Sequence, residues 1–347
     1  MTKMSRYLVK LKPLDWYFFG GEKTFGDDNK AEYLAKSNLL PQQTAILGML
    51  RYQLLTQAKW LIGDKNRSNA KQTDIDDLIG PSSFSIQNKT ASFGKISKIS
   101  PICICRTDKD TNADKFYFPV PLDNGYDVKF ADCDNVSLNG QNPNVVVDVK
   151  SFDHKKYENY EKWGASVQDI ISVDDIFETK SQIGITKQTG SQEDKCFYKQ
   201  EVCRLKDSFE FAFWVDIDGK LDSDKVFLGA QRSCFAMTVE VKDEVFSPFS
   251  TASNGRIVLL SNTYVENLDG LKNLCKFMWS DSIPFRNMET VANGKYKSGH
   301  VSYNKQDVCF NFLKAGSVLY FDENNGQEIE KLLNQKDLQY IGYNHFK

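Results

Sequence analysis

The sequence predicts an α+β fold, because segments with the two-residue period of strands are mixed with one strong and several weaker helical patterns. In the last hundred residues the predicted order is strand, helix, strand, strand, helix, strand, which is the ferredoxin-like (RRM-like) order. The N-terminal half fits the same order if long insertions are allowed. We therefore predict two tandem ferredoxin-like domains, 1–244 and 245–347, with insertions around 60–180 in the first.

The chain begins with a predicted strand and loop. Tyr7, Val9 and Leu11 alternate with their neighbours, as in a strand, and Pro13 ends the pattern. An aromatic segment then leads into Gly20-Gly21, which indicates a loop.

The strongest helical pattern is LLPQQTAILGMLRYQLL at 39–55, with Pro41 suited to its first turn. Apolar residues recur there at the spacing of one helix face. Gly48 and Arg51 interrupt this helix and share a face, since they are three residues apart. A gap in side-chain cover beside a planar cation suits a phosphate or a base. The alternative is a packed helix with a tolerated glycine and a surface arginine.

The remaining elements are shorter. In the middle of the chain the pattern predicts a short helix near Ile75–Ile79, strands at Ile99–Cys105, Phe116–Val120 and Val145–Val149, a surface loop or short helix at 151–166, a hairpin from Lys180 to Lys206, and a strand at 209–221. In the C-terminal hundred residues it predicts strands at 256–265, 300–304, 308–321 and 338–346, and helices at 268–279 and 326–335.

Composition restricts the possible functions. The chain has 44 basic and 46 acidic residues and a net charge of −2, so charge over the whole chain gives no sign of nucleic-acid binding. Any nucleic-acid contact must therefore come from a local basic patch. No segment predicts a signal peptide or a membrane span, and we expect a cytoplasmic protein with no membrane partner.

The eight cysteines are predicted to be reduced thiols. Cys103 and Cys105 are two residues apart in a predicted strand, so both side chains point the same way, and their spacing is not that of a zinc site. We predict no metal and no cofactor. The only histidines are His154, His300 and His345, and none has a second catalytic candidate beside it in the sequence, so we predict that the protein is not an enzyme.

Several segments, taken in order, resemble a known family. The strand, the Gly-Gly loop and the helix with Gly48-x-x-Arg51 resemble the N-terminus of the RAMP proteins of CRISPR effector complexes. SQIGITKQTG at 181–190 with KCFYKQEVCRL at 195–205, KVFLGAQRSCFAMTVEV at 225–241, KAGSVLYF at 314–321 and YIGYNHFK at 340–347 are similar to later segments of the same family. Within it, the chain looks most like the subunit of the Cmr-type (type III-B) complex that caps the 5′ end of the crRNA.

This resemblance implies a non-catalytic crRNA-binding subunit of an RNA-guided antiviral effector. It would hold the repeat-derived 5′ tag and bridge to the large polymerase-like subunit, with a backbone RAMP subunit as a further partner and target RNA bound indirectly. Single-stranded RNA is held by backbone amides, cations and aromatic stacking. The candidate RNA-binding residues are Gly48, Arg51, Lys187, Lys199, Arg232, Arg286, Lys295, Lys297, Lys314, Gly316, Asn344 and His345.

These candidates rest on different grounds. Gly48 and Arg51 match a family motif, whereas Lys187, Arg232 and Lys314 only lie inside similar segments, and Arg286, Lys295 and Lys297 lie in a basic, glycine-containing stretch. Two rival functions remain open. One is a metal-independent endoribonuclease that processes crRNA with the same fold, and the other is a structural bridge that contacts only protein.

Overall fold

The computed structural model describes residues 4–21, 23–25, 33–62, 67–68, 70–87, 92–132, 145–149, 153, 155–166, 168–186, 196–229, 232–242, 255–291, 302–305 and 308–347. The strands within these residues are β1 (Met4–Pro13), β2 (Lys23–Phe25), β3 (Tyr33–Lys36), β4 (Leu61–Ile62), β5 (Arg67–Ser68), β6 (Ile96–Ile99), β7 (Cys103–Thr107), β8 (Asp114–Pro119), β9 (Val128–Asp132), β10 (Val145–Val149), β11 (Lys162–Gly164), β12 (Ile170–Ser172), β13 (Phe177–Thr186), β14 (Cys196–Leu205), β15 (Phe209–Asp218), β16 (Asp224–Phe227), β17 (Cys234–Val241), β18 (Arg256–Val258), β19 (Cys275–Trp279), β20 (Ser282–Phe285), β21 (Met288–Val291), β22 (Ser302–Lys305), β23 (Phe310–Leu313) and β24 (Val318–Phe321). The α-helices are α1 (Gln43–Gln57), α2 (Gln72–Ile79), α3 (Val173–Ile176), α4 (Leu268–Leu274), α5 (Gly326–Leu333) and α6 (Lys336–Gln339).

The largest sheet has the strand order β12-β11-β8-β7-β15-β1-β17-β16, and β6 also pairs with β15. β1 is an interior strand of this sheet and pairs antiparallel with both β15 and β17. The predicted alternation along β1 is confirmed, because Tyr7, Val9 and Leu11 enter the main hydrophobic core while Leu8 joins a cluster on the other face. Cys103 and Cys105 lie together in that second cluster, as their spacing predicted.

Part of the segment 60–180, which we predicted to be an insertion, belongs to this main sheet. β6 and β7 each pair with β15, β8 pairs with β7, and β11 pairs with β8 and so extends the sheet. The prediction was therefore too broad for these strands. The predicted short helix is confirmed as α2, and the strand predicted at Val145–Val149 is confirmed as β10.

Helix α1 packs its apolar stripe on the main sheet. Ile46, Leu47, Leu50 and Leu54 are all buried in the main core. The helix begins at Gln43, with Gln42 as the residue at its N-cap, so Pro41 precedes the cap and is not in the first turn as predicted. The helix extends two residues beyond the predicted end at 55.

A second, smaller sheet has the order β18-β24-β19, with all pairings antiparallel. The C-terminus adds to its free edge, since Val258 and Lys347 exchange backbone hydrogen bonds of 2.7 and 2.9 Å and Leu259 bridges to Phe346. α4 and α5 cover one face, where Leu271 and Ile329 pack against Leu319. Helix α5 confirms the helix predicted at 326–335.

Two predictions in this region were wrong. The helix predicted at 268–279 ends at Leu274, and residues 275–279 form β19, because this aromatic stretch pairs with β24, which lies far away in the chain. The strand predicted at 338–346 is replaced by α6 and a turn. Gly342 and Asn344 both have positive φ there, +93° and +54°, which interrupts the alternation of a strand.

Two hairpins complete the architecture. β13 and β14 pair over ten residues each, which confirms the hairpin predicted from Lys180 to Lys206. On its other edge, β14 pairs in parallel with β3. In the C-terminal half, β20 pairs with β23 and β21 pairs with β22, so the two pairs form one interrupted hairpin. Arg286 and Asn287 lie at the interruption.

The main core is shared between the two halves of the chain. Phe285, Phe312 and Tyr343 from the C-terminal half belong to the same cluster as β1 and α1. Gln43 reinforces this contact, because its amide nitrogen donates to the carbonyls of Ser100 and Gly342 at 3.0 and 3.1 Å. The domain boundary proposed at 244/245 lies between the described segments 232–242 and 255–291, and stays a prediction.

Within the described residues, no helix is long and apolar enough to cross a membrane. The same residues contain no group of three or more histidine, cysteine or acidic side chains placed to hold a metal ion.

Candidate nucleic-acid interface

A cleft of about 500 Å³ opens between the Gly20-Gly21 loop, the N-terminus of α1 and the base of the β20–β23 hairpin. It joins the N-terminal and C-terminal halves of the chain. Its basic lining residues are Lys36, Arg286 and Lys314, of which Arg286 and Lys314 were predicted from the sequence. Its lining combines polar side chains, such as Asn38 and Gln42, with apolar ones, such as Ile283 and Pro284. Such a surface can accept both a phosphate and the edge of a base.

The Gly20-Gly21 loop forms one wall, and glycine is required there by backbone geometry. Gly20 has a φ of +54°, and a Cβ atom at Gly21 would overlap the carbonyl oxygen of Lys36. The Asn38 amide nitrogen donates to the Gly20 carbonyl at 2.5 Å, and the Phe19 N–H donates to the Ser37 hydroxyl at 2.9 Å. The loop is therefore held against residues 36–38, and its backbone lines the cleft.

The hairpin base and Lys314 form the opposite wall. The Lys314 ammonium donates to the Asp281 carboxylate at 2.5 Å, and both groups are about half exposed. Arg286 is exposed at the interruption of the hairpin. Because Asp281 neutralises Lys314, this lysine adds little net positive charge to the cleft.

The turn between β16 and β17 lies beside this cleft. Gly229 has a φ of +84°, and a Cβ atom there would lie 2.7 Å from the Phe18 carbonyl oxygen and 2.9 Å from the Phe19 ring. The same turn carries Arg232, whose guanidinium lies 4.6 Å from the centre of the Phe227 ring. Phe227 is 43% exposed. An exposed ring with a cation stacked on it is a suitable platform for an unpaired base.

Arg51 has a structural contact that the sequence did not reveal. Its guanidinium donates to the Ser82 carbonyl at 2.7 Å and lies 5.4 Å from the centre of the Phe93 ring. Burial lowers the pKa of Arg51 to about 10. Arg51 is therefore not the simple surface arginine of the alternative interpretation, since it connects α1 to Ser82 and Phe93.

Gly48 is exposed on α1, and a Cβ atom there would meet nothing within 4 Å. No described strand of this chain therefore packs closely against Gly48. What remains of the prediction is an open backbone that another molecule could approach.

Gly316 and Asn344 are buried and His345 is partly buried, and all three have contacts within the fold. Their predicted role in RNA binding stays a prediction. A Cβ atom at Gly316 would lie 2.8 Å from the Val120 carbonyl oxygen, so the glycine permits close packing of two chain segments. Asn344 is 0% exposed, and its amide bonds to both backbone groups of Tyr264 and to the Leu333 carbonyl. Both groups serve the fold.

His345 is also mostly buried. Its Nε2 atom donates to the Gln339 carbonyl at 3.1 Å, and burial lowers the pKa of His345 to about 4. The ring is therefore neutral at pH 7. It is held in place by the fold and does not lie flat on the surface as a stacking platform.

The other predicted residues fall away from the cleft or outside the described structure. Lys199 is exposed on β14, opposite Ile183 of the β13–β14 hairpin. Lys187, Lys295 and Lys297 lie outside the described residues, as do His154 and His300.

Sequence reasoning missed Lys36, Asn38 and Gln42 in the cleft and Phe227 beside it. The Gly20-Gly21 pair was the available signal, because a loop that needs two glycines must have a close neighbour. The identity of that neighbour, residues 36–38, depends on a contact that no local pattern encodes.

Comparison with known proteins bears on this geometry. The family described as CRISPR-associated protein (Cas_Cmr3) matches residues 9–346. The chain is similar in fold to a chain of the cryo-EM structure of the type III-B Cmr-beta bound to cognate target RNA, with a TM-score of 0.51, 15% identity, and coverage of 98% of this chain and 96% of that one.

A chain of the type III-B Cmr-beta bound to cognate target RNA and AMPPnP, state 1, gives a TM-score of 0.47 and 14% identity over 97% of this chain and 94% of that one, and supports no argument by itself. No curated protein matches the sequence. Since the family match covers nearly the whole chain, this protein belongs to the Cas_Cmr3 family of CRISPR-associated proteins.

Proposed function

We propose that this protein is a non-catalytic subunit of a type III-B Cmr RNA-guided effector and that it holds the repeat-derived 5′ tag of the crRNA. Membership of the Cas_Cmr3 family supports the assignment to a Cmr effector. The single observation that supports RNA binding most is the cleft. There Arg286, Lys36 and the backbone of a Gly-Gly loop face one another, with the Phe227–Arg232 pair beside them.

The cleft fits a single strand better than a duplex. Unpaired RNA is bound by cations on phosphates, by backbone groups close to the sugar, and by rings that stack on splayed bases. The cleft supplies the cations and the loop backbone, and the exposed Phe227 ring belongs to the turn whose Gly229 contacts Phe19 of the cleft lining. A strand that crosses this region would touch both halves of the chain, because Lys36 belongs to the first half and Arg286 to the second.

The strand orders also support the proposed tandem ferredoxin-like fold. In the main sheet, β17-β1-β15-β7 are neighbours, and in the smaller sheet the C-terminal residues, β18, β24 and β19 are neighbours. Both orders correspond to 4-1-3-2 with antiparallel neighbours, the arrangement of a split βαβ pair. In the first half, β16 and its turn lie between β15 and β17 in the chain, which is the sequence position of the second helix of that arrangement.

The proposed partners are the crRNA tag, the large polymerase-like subunit and a backbone RAMP subunit, with target RNA reached through the guide. The neutral, internally bonded His345 gives no support to the rival endoribonuclease. That rival is tested by incubating the purified chain with repeat RNA. Site-specific, metal-independent cleavage lost in a His→Ala variant would establish the nuclease instead.

The binding proposal is tested in the reconstituted complex with crRNA that carries photoreactive uridines in its tag. We expect crosslinks to residues of the cleft and of the β16–β17 turn. Arg286→Ala should weaken guide retention by about 1–3 kcal/mol, the usual value of a charge-assisted contact. Lys272→Ala is the matched control, because Lys272 is an exposed cation on α4 paired with Asp269. A tag that crosslinks only to other subunits would support the protein-only bridge.

A further inference from the structure

A second surface of the C-terminal half has the chemistry of a single-stranded RNA platform, and the chain itself covers it. Along β19 and β24, Met278 and Leu319 face the helices. The residues that alternate with them, Phe277, Trp279 and Tyr320, therefore lie on the opposite face of the sheet. Arg256 pairs with Tyr320 in the register and shares that face.

Rings and a cation on an open sheet face are the groups that sheet-based RNA-binding domains use to stack bases and neutralise phosphates. Phe277 and Tyr320 stack with their centres 6.1 Å apart, and Phe277 lies 6.2 Å from Trp279. All three rings are partly exposed. They form one continuous ridge beside Arg256.

The segment 121–130 lies on this ridge. Tyr126 packs on Trp279 at 5.3 Å between ring centres, and Phe130 packs edge-on against Tyr320 at 5.3 Å. Tyr157 stacks on Trp279 at 5.4 Å and holds the segment, since its hydroxyl donates to the Leu122 carbonyl at 2.7 Å.

Asp123 of this segment takes the position that a phosphate would occupy. Its two carboxylate oxygens accept both arms of the Arg256 guanidinium at 2.7 and 2.8 Å. One of these oxygens also accepts the Tyr320 hydroxyl. A bidentate guanidinium fork binds carboxylates and phosphates with the same geometry. The Asp123 side chain is 7% exposed and that of Arg256 is 25% exposed, so the carboxylate covers most of the guanidinium.

We propose that the segment 121–130 is a built-in mimic of single-stranded RNA that blocks the sheet face of the C-terminal half. Its rings stand for stacked bases, and its Asp123 carboxylate stands for a phosphate. The free chain then offers RNA only the cleft, which limits non-specific binding by a protein whose guide must be held in one place. This site is separate from the cleft of the proposed function.

The test uses the full purified chain, a labelled short oligouridine that contains photoreactive uridine, and low salt. Asp123→Asn keeps the shape of the side chain but removes its charge. We expect this variant to bind the oligouridine about tenfold more tightly than the wild type. The reason is that the Arg256 guanidinium and the aromatic ridge beside it become available to RNA. New crosslinks should map to residues 275–279 and 318–321. Adding Arg256→Ala should abolish the gain.

Asp127→Asn is the matched control, because Asp127 is an exposed carboxylate of the same segment, paired with Lys129 at 3.1 Å. Equal affinities of the Asp123→Asn and Asp127→Asn variants would overturn the proposal, as would crosslinks confined to the cleft. If Asp123→Asn does not fold, Tyr126→Ala loosens the segment with the ion pair intact and should give the same new crosslinks. If both variants unfold the chain, the segment is a structural brace and the proposal is wrong. The crosslink positions separate the two sites: Arg286→Ala should reduce crosslinks to the cleft, whereas the new crosslinks of Asp123→Asn at 275–279 and 318–321 should remain in the Asp123→Asn, Arg286→Ala double variant.

Discussion

Arg51, which we predicted as an RNA-binding residue, also contributes to the fold. Its guanidinium spans the gap between α1 and the segment that contains Ser82 and Phe93. A hydrogen bond from a charged donor contributes at most about 1.5–3 kcal/mol, less where the acceptor is exposed as Ser82 is, and a ring contact adds to it. Loss of RNA binding in an Arg51 variant therefore has two possible causes, which must be separated.

Arg51→Ala should lower the free energy of unfolding by roughly 1–2 kcal/mol, because the Ser82 carbonyl loses its donor and Phe93 loses its cation. Urea unfolding of the isolated chain measures this. The control is Lys71→Ala, which removes an exposed cation before α2 and should change stability by less than about 0.5 kcal/mol. An unchanged unfolding midpoint for Arg51→Ala would show that the contact contributes nothing.

His345 should make stability depend on pH in a defined window. Burial lowers its pKa to about 4 in the folded state, against 6.5 ordinarily, so between these values the unfolded chain binds a proton that the folded chain does not. Stability is therefore full above pH 6.5 and falls as the pH drops towards 4, by roughly 2 kcal/mol after allowance for partial exposure. The reason is the cost of charging a mostly buried ring.

The measurement is urea unfolding at pH 7, 6 and 5 for the wild type and for His345→Gln. Glutamine keeps a donor for the Gln339 carbonyl but does not titrate. We expect the difference between the two proteins to shrink as the pH falls. Parallel pH profiles would mean that the histidine titrates normally and is not buried.

At the scale of elements, sequence patterns predicted the type of an element correctly where one of its faces is buried. They failed where pairing with a strand far away in the chain determines the secondary structure. β1, β15, α1, α2 and α5 were predicted in type and nearly in position, because their periodicity reflects burial of one face. The stretch 275–279 follows a helix without a breaker, and only its pairing with β24 makes it a strand. The cleft has the same origin, since Lys36 and Arg286 meet through contacts that no local pattern encodes.

Two glycines, Gly48 within α1 and Gly342 in the turn after α6, should change stability in opposite directions when replaced by alanine. At Gly48 a Cβ atom meets nothing within 4 Å, so Gly48→Ala should stabilise the isolated chain by about 0.5–1 kcal/mol through helix propensity. At Gly342, with φ +93°, a Cβ atom would overlap the Gln43 amide and lie 2.6 Å from the Ser100 carbonyl oxygen. Gly342→Ala should therefore destabilise the chain by more than about 2 kcal/mol.

Thermal unfolding of the two variants checks this, and assembly adds information. If another molecule approaches the open backbone at Gly48, Gly48→Leu should weaken guide retention or assembly although the isolated chain stays stable. Normal assembly of Gly48→Leu would show that no partner uses this surface.

At the scale of the whole molecule, charge balance restricts how RNA can be held. The net charge is −2, and one of the three cations that line the cleft is already paired with Asp281. RNA affinity rises with the number of phosphates that are neutralised, and each one adds to the salt dependence. A cleft with only three basic lining residues, Lys36, Arg286 and Lys314, supplies little of this.

The isolated chain should therefore bind the crRNA tag weakly, and binding should vanish as salt rises through the physiological range. Fluorescence anisotropy over a salt series measures the slope, which we expect to match about two phosphate contacts in the wild type. Asp281→Asn should raise the affinity and steepen the slope by about one contact, because Lys314 is released from its partner. Glu328→Gln, which removes an exposed acid on α5, is the control for charge alone.

The assembled effector should keep its guide through moderate salt, since several proteins then hold one strand and the effective concentration is high. Tight, salt-insensitive binding by the isolated chain would contradict this division of work and would place deep base-specific pockets within this subunit.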